Sequence, residues 1–219
     1  MDKQVFTTAI QKLRESPKRK FSQSVDLIIN LKQIDLKNPD HKIDLPATLP
    51  AGLGKAVKIC GLVDKELVDA SKKTFDKTIS KDEFSKLTPK EIEKLAEQND
   101  FFVAQATLMV DIAKFFGKIL GPRNKMPNPK MGCVIPPSAN LEQVRERLSK
   151  TIRLQNKKEL IVKSCIGKES LSDDQLAQNA ATVYETLLHA LPAEKNNIKS
   201  VYIKLTMSTP VKVGVANEQ

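Results

Sequence analysis

The sequence predicts an α/β protein of two domains, the second inserted into the first, on three observations. The middle block, about Val63 to Asn156, alternates helical and extended patterns, the rhythm of a layered α/β unit. Runs of period two stand near both chain ends, FSQSVDLIINLKQ and SVYIKLTMS, each apolar on one face and rich in short polar side chains on the other. With 219 residues and 40% hydrophobic content, the chain is long enough to build two cores. If the two terminal strands pair in one sheet, residues 1–62 and 157–219 form one discontinuous domain and 63–156 an insertion. The two connections between them then act together as a hinge.

The first block opens with a helix from about Lys3 to Glu15, with Val5, Ala9, Ile10 and Leu13 on one face. A basic turn, Pro17-Lys18-Arg19-Lys20, ends it. In the following strand Val25, Leu27, Ile29 and Leu31 point to a core, and Ser22, Ser24, Asp26 and Asn30 to the other face. Small hydrogen-bonding side chains there let a partner's backbone approach closely. In the middle block, AVKICGLV reads as a strand, Val63 to Lys73 as a helix, and Lys90 to Gln98 as a helix capped by Thr88 with Pro89 at its first position. FFVAQA reads as a buried strand, Leu108 to Leu120 as a helix, and LEQVRERLSKTIRL as one further helix capped by Asn140. The last block holds a strand ELIVKSCIG, a helix from about Ser172 to Ala190, and the strand SVYIKLTMS. That strand sets Val201, Ile203 and Leu205 against Ser200, Tyr202, Lys204 and Thr206.

Between the middle helices, Gly121-Pro122 stops a helical run and prolines follow at 127, 129, 136 and 137. Regular structure is not expected there. The segment holds no acid, and its prolines carry Arg123, Lys125 and Lys130 on a stiff exposed loop with little entropy left to lose on binding. Charge held in this way suits a polyanion. The whole-chain balance agrees, with Lys+Arg 36 against Asp+Glu 26 and a formal net charge of +10, which points to nucleic acid. A membrane partner is not expected, since no apolar run approaches a spanning length and neither a secretory nor a lipidation pattern is present.

Catalytic and metal chemistry find little support. Cys60, Cys133 and Cys165 are far apart, and neither His41 nor His189 has a ligand at metal spacing, so no cofactor or metal is expected and a reducing compartment fits. Gly52-Leu53-Gly54-Lys55 imitates a phosphate loop but carries Leu49 and Ala56 where that loop needs a glycine and a hydroxyl. An enzyme using Lys118 and Arg123 on a nucleotide would need a glycine turn directly after a strand. Gly117 to Gly121 instead ends a helix, where the dipole disfavours anions.

The segments FSQSVDLIINL, LPAGLGKAVKI, GKILGPRNKMPNPKMG and SVYIKLTMSTP, in this order, resemble the family of large-subunit ribosomal protein one, archaeal type, over essentially the whole chain. The resemblance implies a split β-α-β first domain made from both chain ends and an inserted Rossmann-like domain. It implies a soluble, cytoplasmic, ribosome-bound protein, monomeric outside the ribosome, without enzymatic activity. Its implied partners are large-subunit rRNA of the mobile side stalk, exit-site tRNA, whose movement and release it assists, and its own mRNA, whose translation members of the family can repress by binding.

Carried onto this chain, the resemblance implies an RNA face of Lys20, Phe21, Ser24, Asp26, Gly167, Lys168, Ser200, Thr206, Met207 and Ser208. Bacterial members usually have glycine where Ser208 stands. Thr206 is expected to order an RNA hydroxyl or phosphate, and Met207 to pack against sugar or base. Asp26 either accepts from a 2′-hydroxyl or base amino group, or holds the basic turn by a salt bridge. Arg123, Lys125 and Lys130 are expected to reach tRNA. With 5% aromatic residues and no Trp, stacking of bases on a sheet is not expected, and recognition by shape, sugar hydroxyls and phosphate is.

Overall fold

The computed structural model describes residues 2–17, 19–36, 38, 41–156 and 159–214. It divides into two compact units, one of 1–55 and 150–219 and the other of 56–149, so the chain passes between them twice.

The first unit is built on β1 (Ser24–Leu31), β8 (Ile161–Lys168), β9 (Ile198–Leu205) and β10 (Val211–Val213), ordered β10-β9-β1-β8 among the described residues. β1 runs antiparallel to both β8 and β9. Those two are therefore parallel to each other and joined through α6 (Asp173–Ala190), with β1 between them, which is the split β-α-β arrangement. Along β1 every second residue is buried, as the period-two reading requires. Val25, Leu27 and Ile29 share one core with Val201, Ile203, Leu205, the Phe6, Ile10 and Leu13 stripe of α1 (Lys3–Arg14), and Leu176, Val183 and Leu187 of α6. Phe6 and Tyr184 meet edge to face with centroids 6.1 Å apart. α6 begins with a full capping box between Ser172 and Gln175, which satisfies two of its free N-terminal amides.

A two-stranded ribbon, β2 (Asp44–Thr48) with β7 (Thr151–Gln155), belongs to the same unit. It corrects two expectations: the insertion expected to run to residue 156 ends before the ribbon, and the segment TIRL does not continue the helix before it. α5 (Leu141–Lys150) stops where β-branched Thr151 and Ile152 begin, and Arg153 forms a forked ion pair with Asp44 at 2.6 and 2.7 Å. Pro46 is tolerated because a two-stranded ribbon has open edges.

The second unit holds a parallel sheet ordered β4-β3-β5-β6, formed by β3 (Ile59–Val63), β4 (Lys77–Ser80), β5 (Phe101–Gln105) and β6 (Val134–Ile135). β3, most of which lies within 1–62, pairs with β4 and β5 of this sheet and, among the described residues, with no strand of the first unit, so the boundary expected near residue 62 falls earlier, before the strand. Its run ICGLV is buried throughout, as a parallel strand covered on both faces must be. Gly61 admits the close approach of the following helix, α2 (Val68–Thr74): a Cβ there would lie 2.5 Å from Ser71 Oγ and 2.7 Å from Phe75 Cδ2. The helix expected over Val63 to Lys73 starts later, after a short 3-10 turn at Lys65–Leu67. α3 (Pro89–Gln98) and α4 (Met109–Leu120) complete the core, where Phe84 and Phe116 pack edge to face at 5.1 Å.

The proline-bounded segment is less open than its composition implies. Pro129–Met131 form a 3-10 turn, Val134–Ile135 add β6 to the sheet, and Met131, Cys133 and Ile135 are buried. Lys125 is not a free loop cation. Its Nζ donates to the carbonyls of Ala96 at 2.6 Å and Asn99 at 2.7 Å, neutralising the C-terminal end of α3. Lys125→Ala is predicted to cost roughly 1–3 kcal/mol of stability by deleting these charge-assisted bonds. Urea denaturation checks this, and an unchanged midpoint would show that water replaces the ammonium at no cost.

Candidate nucleic-acid interface

Because β8 and β9 both run against β1, the start of β1 meets the ends of the other two. Ser24 pairs with Lys168, and Val25 with Leu205. Segments more than 140 residues apart thus share one rim of the sheet. Of the residues expected on an RNA face, Lys20, Phe21, Ser24, Asp26, Gly167, Lys168, Thr206, Met207 and Ser208 all belong to the three segments that meet there. Lys18 of the basic turn lies outside the described residues. Ser200 is separate. It pairs with Asn30 at the other end of β1, six residues or about 20 Å along the strand, and its hydroxyl accepts from Asn30 Nδ2 at 2.9 Å.

The rim is held by hydrogen bonds between the segments. Thr206 N donates to Ser24 O at 3.1 Å, and the Thr206 hydroxyl accepts from Ser24 N at 3.2 Å. That hydroxyl extends the β1–β9 ladder past Leu205, so part of its bonding capacity is already spent within the fold. Ser208 Oγ accepts from Leu205 N at 2.9 Å and donates to Thr209 O at 3.1 Å, closing a tight turn over Leu205–Ser208. On the β8 side, Glu169 N donates to Gln23 O at 2.9 Å and Lys168 Nζ to Ser22 O at 3.4 Å. Arg14, at the end of α1, secures the loop after β8 by donating to Glu169 O, Leu171 O and the Asp173 carboxylate.

Gly167 has φ +158°, and a Cβ on it would stand 2.6 Å from Leu171 Cδ1 and 2.9 Å from Leu176 Cδ2. Glycine here lets β8 bulge opposite Val25/Asp26, where the register shifts, and turn Lys168 back toward the rim.

What the rim presents is unlike an ordinary solvated edge. Phe21 is 52% and Met207 60% exposed, two large apolar side chains left in water on adjoining segments. Cations surround them: Arg19, Lys20 and Lys168 on the same segments, and Lys204 one pair in from the end of β9. Asp26, opposite Lys204 and Cys165, is half-buried. Burial raises its carboxyl above the usual range, and Lys204 and then Lys168 oppose this without cancelling it. Ionised Asp26 is therefore less favoured in the folded protein than in the unfolded chain, so it costs stability as pH rises past the ordinary carboxylate range. The lysines that oppose the shift, Lys204 and Lys168, lie on β9 and β8 and not in the basic turn. Burial likewise pushes the Cys165 thiol up, and it donates to Gly167 O at 3.5 Å.

Gln23 is the rim residue that the sequence pattern alone does not single out. It is 2% exposed, and its Oε1 accepts from Met207 N at 3.0 Å. A signal is nonetheless present: Gln23 shares the parity of Val25, Leu27 and Ile29, a polar side chain on the core side of the alternation.

In the second unit, Arg123 lies within 3.7 Å of Glu97 and 3.8 Å of Glu93, a loose exposed pair of little energetic weight, and Lys130 is exposed. At the switch point of the parallel sheet, between β3 and β5, Gln105 Oε1 accepts from Asp64 N at 3.0 Å. The crevice in which doubly wound sheets take nucleotides is thus bridged by the protein's own groups. Among the described residues no cluster of His, Cys, Asp and Glu could hold a metal ion, and no helix is long and apolar enough to cross a membrane.

Comparison with known proteins agrees over the length of the chain. Residues 13–209 match the model of the ribosomal protein L1p/L10e family. The chain is 40% identical to large ribosomal subunit protein uL1 of Pyrococcus abyssi, across 97% of this chain and 96% of that protein. It is 40% identical to the uL1 of Thermococcus kodakarensis, over 97% and 98% respectively. With the Nanoarchaeum equitans uL1 the identity is 39%, over 95% and 99%. Two units, one built from both chain ends, and a match spanning nearly all 219 residues lead to one conclusion: the chain belongs to the ribosomal protein L1p/L10e family, a family of ribosomal proteins and not of enzymes.

Proposed function

We propose that this protein is a constituent of the large ribosomal subunit that grips folded rRNA of the side stalk with the rim of its first unit. The observation that carries the reading is the convergence of Phe21, Met207, Lys20 and Lys168 on three cross-linked segments. Cations there supply phosphate attraction. Phe21 and Met207 supply apolar contact for sugars or a splayed base. Asp26, whose ionisation burial disfavours in the free protein, gains a hydrogen-bond partner when a 2′-hydroxyl or base amino group donates to it. Repression of its own mRNA follows if the messenger offers the same fold to the same rim, the two RNAs then competing for one site.

A protein joining residues 1–55 to 150–219 through a short linker tests this. It is expected to fold and to keep most of the specific affinity for stalk rRNA in filter binding against excess tRNA. Folding with only non-specific binding would refute the assignment.

Contact with exit-site tRNA is assigned to Arg123 and Lys130, with Lys125 withdrawn because it caps α3. The ion pairs of Arg123 are weak enough to be exchanged for phosphate. Changing both to Gln is expected to leave stalk RNA affinity within about twofold and to speed tRNA departure from ribosomes rebuilt with the variant. Each phosphate that is no longer neutralised reduces the log-log salt slope for tRNA by about one. Weakened stalk RNA binding with normal tRNA release would place both residues in the primary site instead.

A further inference from the structure

We infer that Gln23 is the positioning residue of the RNA rim: without touching RNA, it fixes the Leu205–Ser208 turn relative to the Gly167–Glu169 loop. The inference rests on the RNA-binding reading and names the device that preorganises the site. Gln23 immediately precedes β1, the strand between β8 and β9. Its main chain faces the β8 side, where its carbonyl accepts from Glu169 N at 2.9 Å and its amide donates to Glu169 Oε2 at 3.3 Å. Its side chain serves the β9 side, where Oε1 accepts from Met207 N at 3.0 Å. One residue thereby ties both flanking segments to the central strand at the point where Phe21 and Met207 emerge.

At 2% exposure Gln23 offers RNA almost no surface. Met207, by contrast, is 60% exposed and its amide's bond to Gln23 is only part-buried, so water can replace Gln23 there once the bond is broken. The free protein then loses little, since a solvated donor costs far less than a buried unsatisfied one. Binding loses more, because a turn with several conformations must be ordered again at each encounter. A polar side chain on the apolar parity of a strand, spent on the amide of an exposed turn, has this use.

The test is Gln23→Met, close in shape and lacking the acceptor, with Gln23→Glu restoring an acceptor oxygen. Affinity for the side-stalk rRNA fragment is measured across salt concentrations, together with thermal unfolding and hydrogen exchange at the Met207 amide. In Gln23→Met, exchange at Met207 is expected to accelerate at least about tenfold and RNA affinity to fall about tenfold, and the salt slope should stay unchanged because every phosphate-neutralising cation remains. Gln23→Glu is expected to slow that exchange again. Affinity within about twofold of wild type despite accelerated exchange overturns the inference, as does a loss of affinity with Met207 exchange unchanged. Were the unaltered protein itself to bind the fragment no better than tRNA, the rRNA reading would fail instead, which separates the two claims.

Discussion

Antiparallel pairing of β1 with both β8 and β9 is the constraint on which the structure depends. It closes the first unit across a chain interrupted by the second, 56–149. It sets the alternation that buries Val25, Leu27 and Ile29 against α1 and α6. It also decides where chemistry gathers, because strands opposed to a common neighbour end where that neighbour begins. Phe21, Lys168 and Met207 meet through topology and not through any local motif. Long-range pairing of this kind is slow to form, since the loop that it closes must be ordered before contacts reward it.

Much of this was legible in the residues. The period-two runs located β1 and β9, the Thr88-Pro89 start located α3, and the helix read from about Ser172 to Ala190 is α6. Other features depend on partners that local pattern does not reveal. Thr151 to Leu154 carry apolar residues compatible with the preceding helix, and only the β2 pairing with its Arg153–Asp44 fork makes them a strand. The basic loop misled for the same reason. Composition marks Arg123, Lys125 and Lys130 alike, yet Lys125 alone lies beside the open carbonyls at the end of α3. Ser200 shares a face with Thr206 by parity, while strand length places it at the far end.

The rim combines rigidity with exposed surface of high cost. The side chains of Gln23, Thr206 and Ser208, as acceptors, and of Arg14, as donor, fix the backbone. Phe21 and Met207 remain in water, and Asp26 is held where ionisation is disfavoured. A stable scaffold carrying locally unfavourable groups is the pattern of a preorganised binding site. At the switch point of the second unit's sheet the Asp64 amide instead takes up Gln105 Oε1.

If one rim of the first unit takes the rRNA, hydrogen–deuterium exchange of the full chain with and without a side-stalk rRNA fragment will locate it. Added protection is expected in peptides covering 19–26, 167–170 and 205–209, with exchange at 198–202 and across 59–63 unchanged. Protection concentrated in the second unit, or along 198–202 with the rim unaffected, would rule the rim out.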